Sequence, residues 1–362
     1  MSSDTEERFS FLKGKKVLLT GGTGFVGRHL LPLLLGAGAE VTCLVRASSA
    51  TQGLPAGVKI READFAAGTG LYEALAGQDI VIHLAALLFG FSQQDYLRTN
   101  AAMARQFAKA LRRLREEGRL NSGFRFTLVS SQAATGPWRD PPGAPDDVMP
   151  APVSAYGWSK LLTEEILGRE LGSQMVTLRP PIIYGSGDRG LLPMFRAAKT
   201  GLSFCPGWRR NFRVSAVHAD DLARAALYLC RPEAHGVYHV SDGSVYTMEE
   251  FYRAMGEAVT LALGRPRWRR PLILQVPLPV ITFSAAVSSV TAVAVNAFLK
   301  RFTGHGLARA PQWNLDKCRE ARQEGWICDG SRLIQELGFI PEKDLAAGMQ
   351  EAAEGYRRDG WL

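Results

Sequence analysis

Cysteine is scarce and scattered in this chain. The five residues Cys43, Cys205, Cys230, Cys318 and Cys328 are odd in number, contain no CxxC pair and have no histidine at ligand spacing. That pattern indicates neither a disulfide framework nor a zinc site, no metal is expected, and a reducing compartment is the expectation. The opening MSSDTEERFSFLKGKK lacks the apolar core of a signal peptide, so the first domain is expected in the cytoplasm. Internal repeats and long low-complexity tracts are also missing. Charge is absent altogether from Pro271 to Leu299, and that gap leaves three readings open: a membrane span, a membrane-surface anchor, or an apolar wall beside a substrate.

Elsewhere charge is plentiful. The formal net charge is +8 and the pI about 9.4, which suits an anionic partner without choosing between nucleotide cofactors, acidic lipids and nucleic acid. No nucleic-acid partner is expected. At 362 residues the chain exceeds a typical single domain, so one large α/β unit with an appended lobe, or two domains, is the starting expectation.

The segment KKVLLTGGTGFVGRHLLPLLLGAGAEVTCLVR reads as a short apolar strand (Val17 to Leu19), a glycine-rich turn, an amphipathic helix ending at Gly36 to Gly38, and a second strand from Val41 to Val45. Within the turn, Gly21 permits the tight bend, Gly24 lets backbone approach a pyrophosphate, and Gly27 allows close packing of helix on strand. The helix N-terminus offers unpaired N–H groups and a positive dipole end to an anion. Where NAD-binding versions carry an acidic residue at the end of the second strand, this chain has Arg46, followed by Ser48 and Ser49. A guanidinium there pairs with the 2′-phosphate of NADP or remains a solvated surface charge. The segments VKIREADF, QDIVIHLAAL, a helix from Asn100 to Arg115, and FRFTLVSS continue the alternation, which predicts a parallel sheet covered on both faces. Asp64 is placed to meet an adenine or to cap a helix.

SAYGWSK puts Tyr156 and Lys160 four residues apart, on one face of a helix. Upstream, FTLVSSQAATG ends a strand with Ser130 and Ser131. A hydroxyl, a phenol and an ammonium are thus available beside the glycine turn. A free tyrosine, with a pKa of about 10, is a poor base at neutral pH, and a neighbouring ammonium favours its phenolate.

With these motifs in order, the chain resembles the extended short-chain dehydrogenases/reductases. The family's TGxxGxxG corresponds to Thr20 to Gly27, its YxxxK to Tyr156 and Lys160, its strand-end serine to Ser131, its RPxxxYG to Arg179 to Gly185, and its VHVxDLA to Val217 to Ala223. The resemblance implies Tyr156 as general acid/base, Lys160 lowering its pKa and holding the nicotinamide ribose, Ser131 bonding the substrate oxygen, and Asn100 supporting a proton relay. It implies an NAD(P) site built from Gly21, Thr23, Gly24, Phe25, Val26 and Gly27 in the turn, with Arg46, then Asp64 and Phe65, then Leu84, Ala85 and Ala86 at successive strand ends. Tyr156, Lys160, Pro180, Ile182 and Ile183 complete it, and Arg46 favours NADP. His83 and His218 are expected to be packed histidines, and Tyr184 to lie near the nicotinamide.

The expected fold is a Rossmann-type doubly wound parallel sheet with a smaller, interleaved C-terminal substrate lobe. The cofactor domain is placed at 14–180 and recovers about 213–230, while 181–212 and 231–362 form the lobe. Relatives that act on nucleotide sugars carry an Arg-Asp-aromatic triplet before the VxDLA motif. Val214, Ser215 and Ala216 stand there instead, with Arg209, Arg210 and Arg213 nearby as a substitute. The character is closer to the 3β-hydroxysteroid and sterol C4-decarboxylating dehydrogenases, which implies a small apolar, sterol-like or isoprenoid substrate. A nucleotide-sugar epimerase or dehydratase is the alternative, and a catalytically silent nucleotide-sensing module is the alternative from another class.

Val280 to Leu299 has the length of a membrane span, but Ala, Ser and Thr predominate, Asn296 lies inside, and Pro277 and Pro279 stand ahead of it. Because a substrate lobe resumes beyond Leu299, peripheral contact on the cytoplasmic membrane face through 265–302 is expected in preference to crossing. Arg265, Arg267, Arg269 and Arg270 on one side and Lys300 and Arg301 on the other supply basic flanks, with Trp268 at the interface. Burial against the active site or in a homodimer is the other surviving reading. The Pro-rich stretch GPWRDPPGAPDDVMPAP is expected to be an active-site loop.

Overall fold

The computed structural model describes residues 7–208, 211–266, 271–307 and 310–362. Its centre is a seven-stranded parallel sheet. Six strands come from the first half of the chain: β1 (Lys16–Thr20), β2 (Glu40–Val45), β3 (Lys59–Glu62), β4 (Ile80–His83), β5 (Arg125–Val129) and β6 (Met175–Arg179). The order across the sheet is the Gly236–His239 strand, then β6, β5, β4, β1, β2 and β3. The order reverses between β1 and β4, and that crevice at the carboxyl ends of the strands is where a doubly wound sheet receives its ligand.

Strands β1, β2, β4, β5 and β6 are buried along nearly their whole length, as expected for parallel strands covered on both faces. One face packs on the helices Phe25–Gly36 and Ala219–Tyr228, through Leu30, Leu31, Leu34, Leu222, Ala226 and Leu227. The other packs on the helices Ala102–Glu116 and Ala155–Leu171, through Phe107, Leu111, Leu114 and Leu167. The sequence between Leu229 and Val240 returns to the sheet as its edge strand. The cofactor domain therefore recovers more than 213–230, because Val237 to His239 supply the hydrogen-bonding edge that β6 would otherwise leave open.

The lobe has a separate core. Tyr184, Phe195, Phe251, Met255, Met349 and Tyr356 meet there, contributed mainly by the helices Leu192–Lys199, Met248–Ala262 and Leu345–Arg358. The uncharged stretch splits in two. Leu272–Val276 is a strand paired in parallel with Leu202–Pro206, and Leu278–Thr303 is one 26-residue helix, started at a proline that lacks the N–H a helix would leave orphaned. It ends at Gly304, whose φ of +72° is the left-handed conformation that closes helices. Only Ile281 and Ala285 of this helix are buried. By length and composition it is long and apolar enough to cross a membrane.

Candidate active site

Gly21 turns the chain out of β1 with φ of +75°, and a Cβ there would stand 2.9 Å from the Ala85 backbone nitrogen. At Gly27 a Cβ would fall 2.4 Å from the Gly21 carbonyl oxygen, so the helix rests directly on the turn. No side chain caps the helix Phe25–Gly36 and its first turn carries no acid. Its leading N–H groups are thus left for an anion, as a dinucleotide pyrophosphate requires. Thr23, Gly24, Phe25 and Val26 border this cradle, while Leu84, Ala85 and Ala86 form the loop that abuts it, held by the Ala85 N–H donating to Thr20 Oγ1 at 3.2 Å. His83 is fully buried with Nδ1 2.8 Å from Thr20 Oγ1. Burial, with the Lys160 charge adding to it, pushes its pKa down to about 3, so it is a neutral packing group.

At the adenine end, Arg46 is exposed just beyond β2 and its N–H donates to Ser49 Oγ at 3.2 Å. Asp64 is occupied as a turn cap, its Oδ1 accepting the Ala66 and Ala67 N–H groups at 2.8 and 3.0 Å, and those bonds hold its carboxyl below the usual range. Phe65 stacks on Phe107 with ring centres 6.2 Å apart. Pro180 ends β6, with its carbonyl accepting the Gln132 N–H at 2.8 Å, and half-buried Ile182 and Ile183 follow. The pairing of Ile182–Tyr184 with Ala216–His218 sets Tyr184 in the lobe core, where it is fully buried, packs on His218 and Phe251, and donates to the Asp344 carbonyl.

The residues expected to be catalytic converge on the helix Ala155–Leu171. Tyr156 and Lys160 lie one turn apart and both are buried. Ser131, partly exposed at the end of β5, caps the short helix Gln132–Thr135 by accepting the Ala133 N–H at 3.1 Å. Burial pushes the Tyr156 phenol up, a hydrogen bond with Ser131 draws it down, and Glu320 pushes it up again. Lys160 Nζ donates to the Val129 carbonyl at 2.9 Å. Burial lowers its pKa to about 8, against a raising pull from Glu164. Asn100 sits on a π-helical turn, Leu97–Ala101. Its side chain pins the loop after β4, accepting the Leu87 N–H at 2.7 Å and donating to the Leu87 carbonyl at 3.1 Å and to Ser159 Oγ at 2.9 Å. Both amide donors are thereby engaged, and Ser159 in turn donates to the Tyr156 carbonyl at 2.7 Å.

Sequence spacing gave no hint of the element that roofs this set. The helix Leu315–Ala321 presses on the start of the Tyr156 helix. Asp316 accepts the Ala155 and Tyr156 N–H groups at 2.7 and 3.1 Å, a carboxylate at the positive end of a helix. Ser154 donates to Glu320 at 2.5 Å. Lys317 pairs with Glu320 at 2.9 Å and places its Nζ 4.2 Å from the centre of the Tyr156 ring. Cys318, on the same short helix, packs with Ile281 and Ala285 of the long apolar helix.

Beneath the set lies a buried polar network, also unanticipated. Glu164 binds Arg179 through two guanidinium nitrogens, with the closest contact at 2.6 Å, and receives the Ser130 hydroxyl. Arg179 also donates to Thr135 Oγ1, which meets His239 Nε2 at 2.8 Å, and His239 Nδ1 lies 2.8 Å from Asp146. Asp146 belongs to the Pro-rich stretch, and this bond together with bridges from Trp138 to Trp326 and Ala144 to Cys328 lays the stretch flat across the lobe.

A family model described as the NAD dependent epimerase/dehydratase family matches residues 17–241, the span that holds the cradle, the Tyr156–Lys160 helix and the sheet. The chain belongs to that family. It is an enzyme of the extended short-chain dehydrogenase/reductase type, and the family binds NAD. It is 27% identical over 351 residues to the ceramide reductase of Caulobacter vibrioides (strain NA1000 / CB15N), covering 96% of each chain. It is 26% identical over 249 residues to the decarboxylating sterol-4-alpha-carboxylate 3-dehydrogenase of Dictyostelium discoideum, covering 66% of this chain and 74% of that one. Among solved structures it is similar to the UDP-glucose 4-epimerase of Thermus thermophilus in complex with NAD, at TM-score 0.69 and 22% identity over 94% of this chain and 99% of the other. Of the residues weighed for substrate choice, Arg209 and Arg210 lie outside the described residues, as do Arg267, Trp268, Arg269 and Arg270 of the basic flank.

Proposed function

We propose that this enzyme transfers hydride between NAD(P) and a secondary alcohol or ketone of an apolar lipid substrate, sterol-like, isoprenoid or long-chain, with Tyr156 as general acid/base. The observation that carries the substrate class is the roof over Tyr156. The helix Leu315–Ala321 reaches the catalytic phenol through Lys317 and is backed by the apolar helix Leu278–Thr303 through Cys318, Ile281 and Ala285. The site is therefore bounded on its outer side by an apolar element with almost no burial of its own. Val214, Ser215 and Ala216, at the positions where nucleotide-sugar relatives carry the gripping triplet, are buried and offer no cation to a diphosphate. The likeness to a ceramide reductase over nearly the whole chain points the same way.

The chain's own part in the reaction is proton transfer and positioning. Nicotinamide supplies the hydride acceptor or donor when bound. In the oxidative direction Tyr156 Oη takes the proton of the substrate hydroxyl as hydride leaves the carbinol carbon, and in the reductive direction it returns that proton to the carbonyl oxygen. Ser131, hydrogen-bonded to the phenol, holds the substrate oxygen against it. Lys160 supplies positive charge below the phenol and a donor for the ribose. Asn100 fixes the loop that flanks the cradle. Arg46, exposed where an acidic residue would bind the ribose hydroxyls, favours NADP by pairing with its 2′-phosphate. Nicotinamide absorbance measured with both cofactors against a panel of sterols, long-chain ketones and sugar nucleotides tests the reading. Turnover of apolar alcohols or ketones, with an NADP preference that Arg46→Asp reverses, is expected. Turnover confined to a sugar nucleotide would overturn it.

A further inference from the structure

The helix Leu278–Thr303 exposes an apolar surface that a folded monomer in water has no reason to keep. Phe283, Val290, Phe298 and Phe302 are 72%, 68%, 60% and 68% exposed, and Val280, Val287, Val293 and Val295 are at least 43% exposed. At about 100° per residue, these eight side chains cover an arc of about 200°. The packed stripe of an ordinary surface helix is narrower, of the order of 100°. The strand pair leading into the helix continues the pattern. Leu202 lies beside Leu272 and Phe204 beside Leu274, and all four are exposed.

Outside that arc, beside Ile281 and Leu299, lie Thr282, Ala285, Ser288, Ser289, Ala292 and Asn296, and three of these, with Ser284 near the arc's edge, hold the chain as it comes back. After the turn at Gly304, Asn296 Oδ1 accepts the Leu307 N–H at 2.8 Å, Ser288 donates to the Trp313 carbonyl at 2.6 Å, Ser284 accepts the Trp313 indole N–H at 3.1 Å, and Ser289 accepts the Leu315 N–H at 2.9 Å. The serines and asparagine that dilute the apolar run are thus the clasps for a return segment lying antiparallel to the helix. This geometry opposes a span. A crossing would take the irregular backbone of residues 305–307 and 310–314 into hydrocarbon, where its N–H and C=O groups have no partners.

We infer that this face docks on the surface of an anionic phospholipid bilayer, with the helix lying in the plane of the interface and the clasped return segment turned to the protein and water. Two observations select a bilayer over a second copy of the chain. An arc of about 200° is wider than one facing helix covers, whereas acyl chains close around it. The helix carries no charge from Leu278 to Leu299 and then exposed Lys300 and Arg301, while exposed Arg265 lies beside the strand pair, bonded to the Lys199 carbonyl. An apolar body with a cationic rim is the complement of an anionic leaflet. Docking needs no turnover, so it stands or falls separately from the substrate reading. In the bilayer-bound enzyme, the apolar helix that backs the roof over Tyr156 faces the phase in which a lipid substrate is dissolved.

The test is sedimentation of the purified full-length protein with phosphatidylcholine vesicles and with phosphatidylcholine/phosphatidylglycerol vesicles. The expected result is co-sedimentation with the anionic vesicles, loosened by salt. The triple variant Phe283→Ser/Val290→Ser/Phe298→Ser should bind at least about tenfold more weakly, with melting temperature and NAD binding unchanged. In the single variant Phe298→Trp, indole emission should shift to the blue on adding anionic vesicles. Failure of the unaltered protein to sediment, or equal sedimentation of the triple variant, would overturn the proposal. So would gel filtration showing a vesicle-free dimer that the triple variant converts to monomer, because a second copy would then cover this face.

Discussion

Lys317 sets its ammonium 4.2 Å from the centre of the Tyr156 ring, although 161 positions separate the two residues in sequence. Tyr156 therefore lies under a cation supplied by the substrate lobe in addition to Lys160 on its own helix. A cation over the ring stabilises phenolate more than phenol, and the Glu320 carboxylate beside Lys317 offsets part of that effect. In Lys317→Met the acidic limb of kcat/KM for alcohol oxidation should move up by about one pH unit. Lys317→Arg should keep it near its original place, and an unchanged limb in Lys317→Met would show that the ammonium only packs.

Lys160 has its pKa lowered to about 8 by burial, well under its value in the unfolded chain. Because the folded value is the lower one, the ammonium is present below about pH 8 and is lost as pH rises through it. Activity that depends on this charge should fall across that range. Lys160→Arg, which stays charged, should lose the alkaline limb whatever it costs in rate. A pH-rate profile in the absence of saturating substrate reports the free enzyme's value.

Arg179 and Glu164 are both buried, and each is the other's main charge partner. Arg179→Met should destabilise the fold by roughly 3–5 kcal/mol, because it strands a carboxylate in the core, whereas Arg179→Met/Glu164→Gln should recover much of that loss. Urea unfolding of the three proteins measures both quantities.

His29 joins the cofactor helix to the lobe. Its Nδ1 lies 2.6 Å from Asp220 and its Nε2 2.9 Å from the Ser186 carbonyl, so both nitrogens donate and the ring is an imidazolium. Burial opposes the charge, but the Asp220 and Ser186 bonds and the nearby Asp220 and Glu351 carboxylates outweigh it, and the pKa is raised. His218 and Lys343 face the same Asp220. A raised folded pKa gives stability that is full below the unfolded value and is lost as pH rises through the folded one. The melting temperature should therefore fall more as pH rises above the ordinary histidine value of about 6.5 than it does in His29→Gln.

What the sequence revealed and what it hid divide by distance along the chain. The glycine turn, the Tyr156–Lys160 pair and the βα alternation are local patterns whose spacing carries their geometry, and the sheet follows from them. Asp316, Lys317 and Glu320 act on the catalytic helix from a remote part of the chain, and Arg179, Thr135, His239 and Asp146 meet only once the sheet has formed, so nothing in their neighbourhoods marks them. The packing of Tyr184 in the lobe core was hidden too, because the face of a three-residue strand is fixed by its partner, Ala216–His218, and not by its own alternation. In the apolar stretch, Ser284, Ser288, Ser289 and Asn296 looked like dilution of a hydrophobic run, and only the return of the chain along the helix shows them to be one bonding face.

The most direct test of the account is single-turnover hydride transfer with a lipid ketone or secondary alcohol dispersed in anionic vesicles, followed by nicotinamide absorbance for the unaltered enzyme and for Tyr156→Phe. Turnover is expected, and Tyr156→Phe should lower it by about a hundredfold or more while cofactor affinity stays near its original value. Equal rates in the two proteins, or no turnover of any apolar substrate beside turnover of a nucleotide sugar, would contradict it.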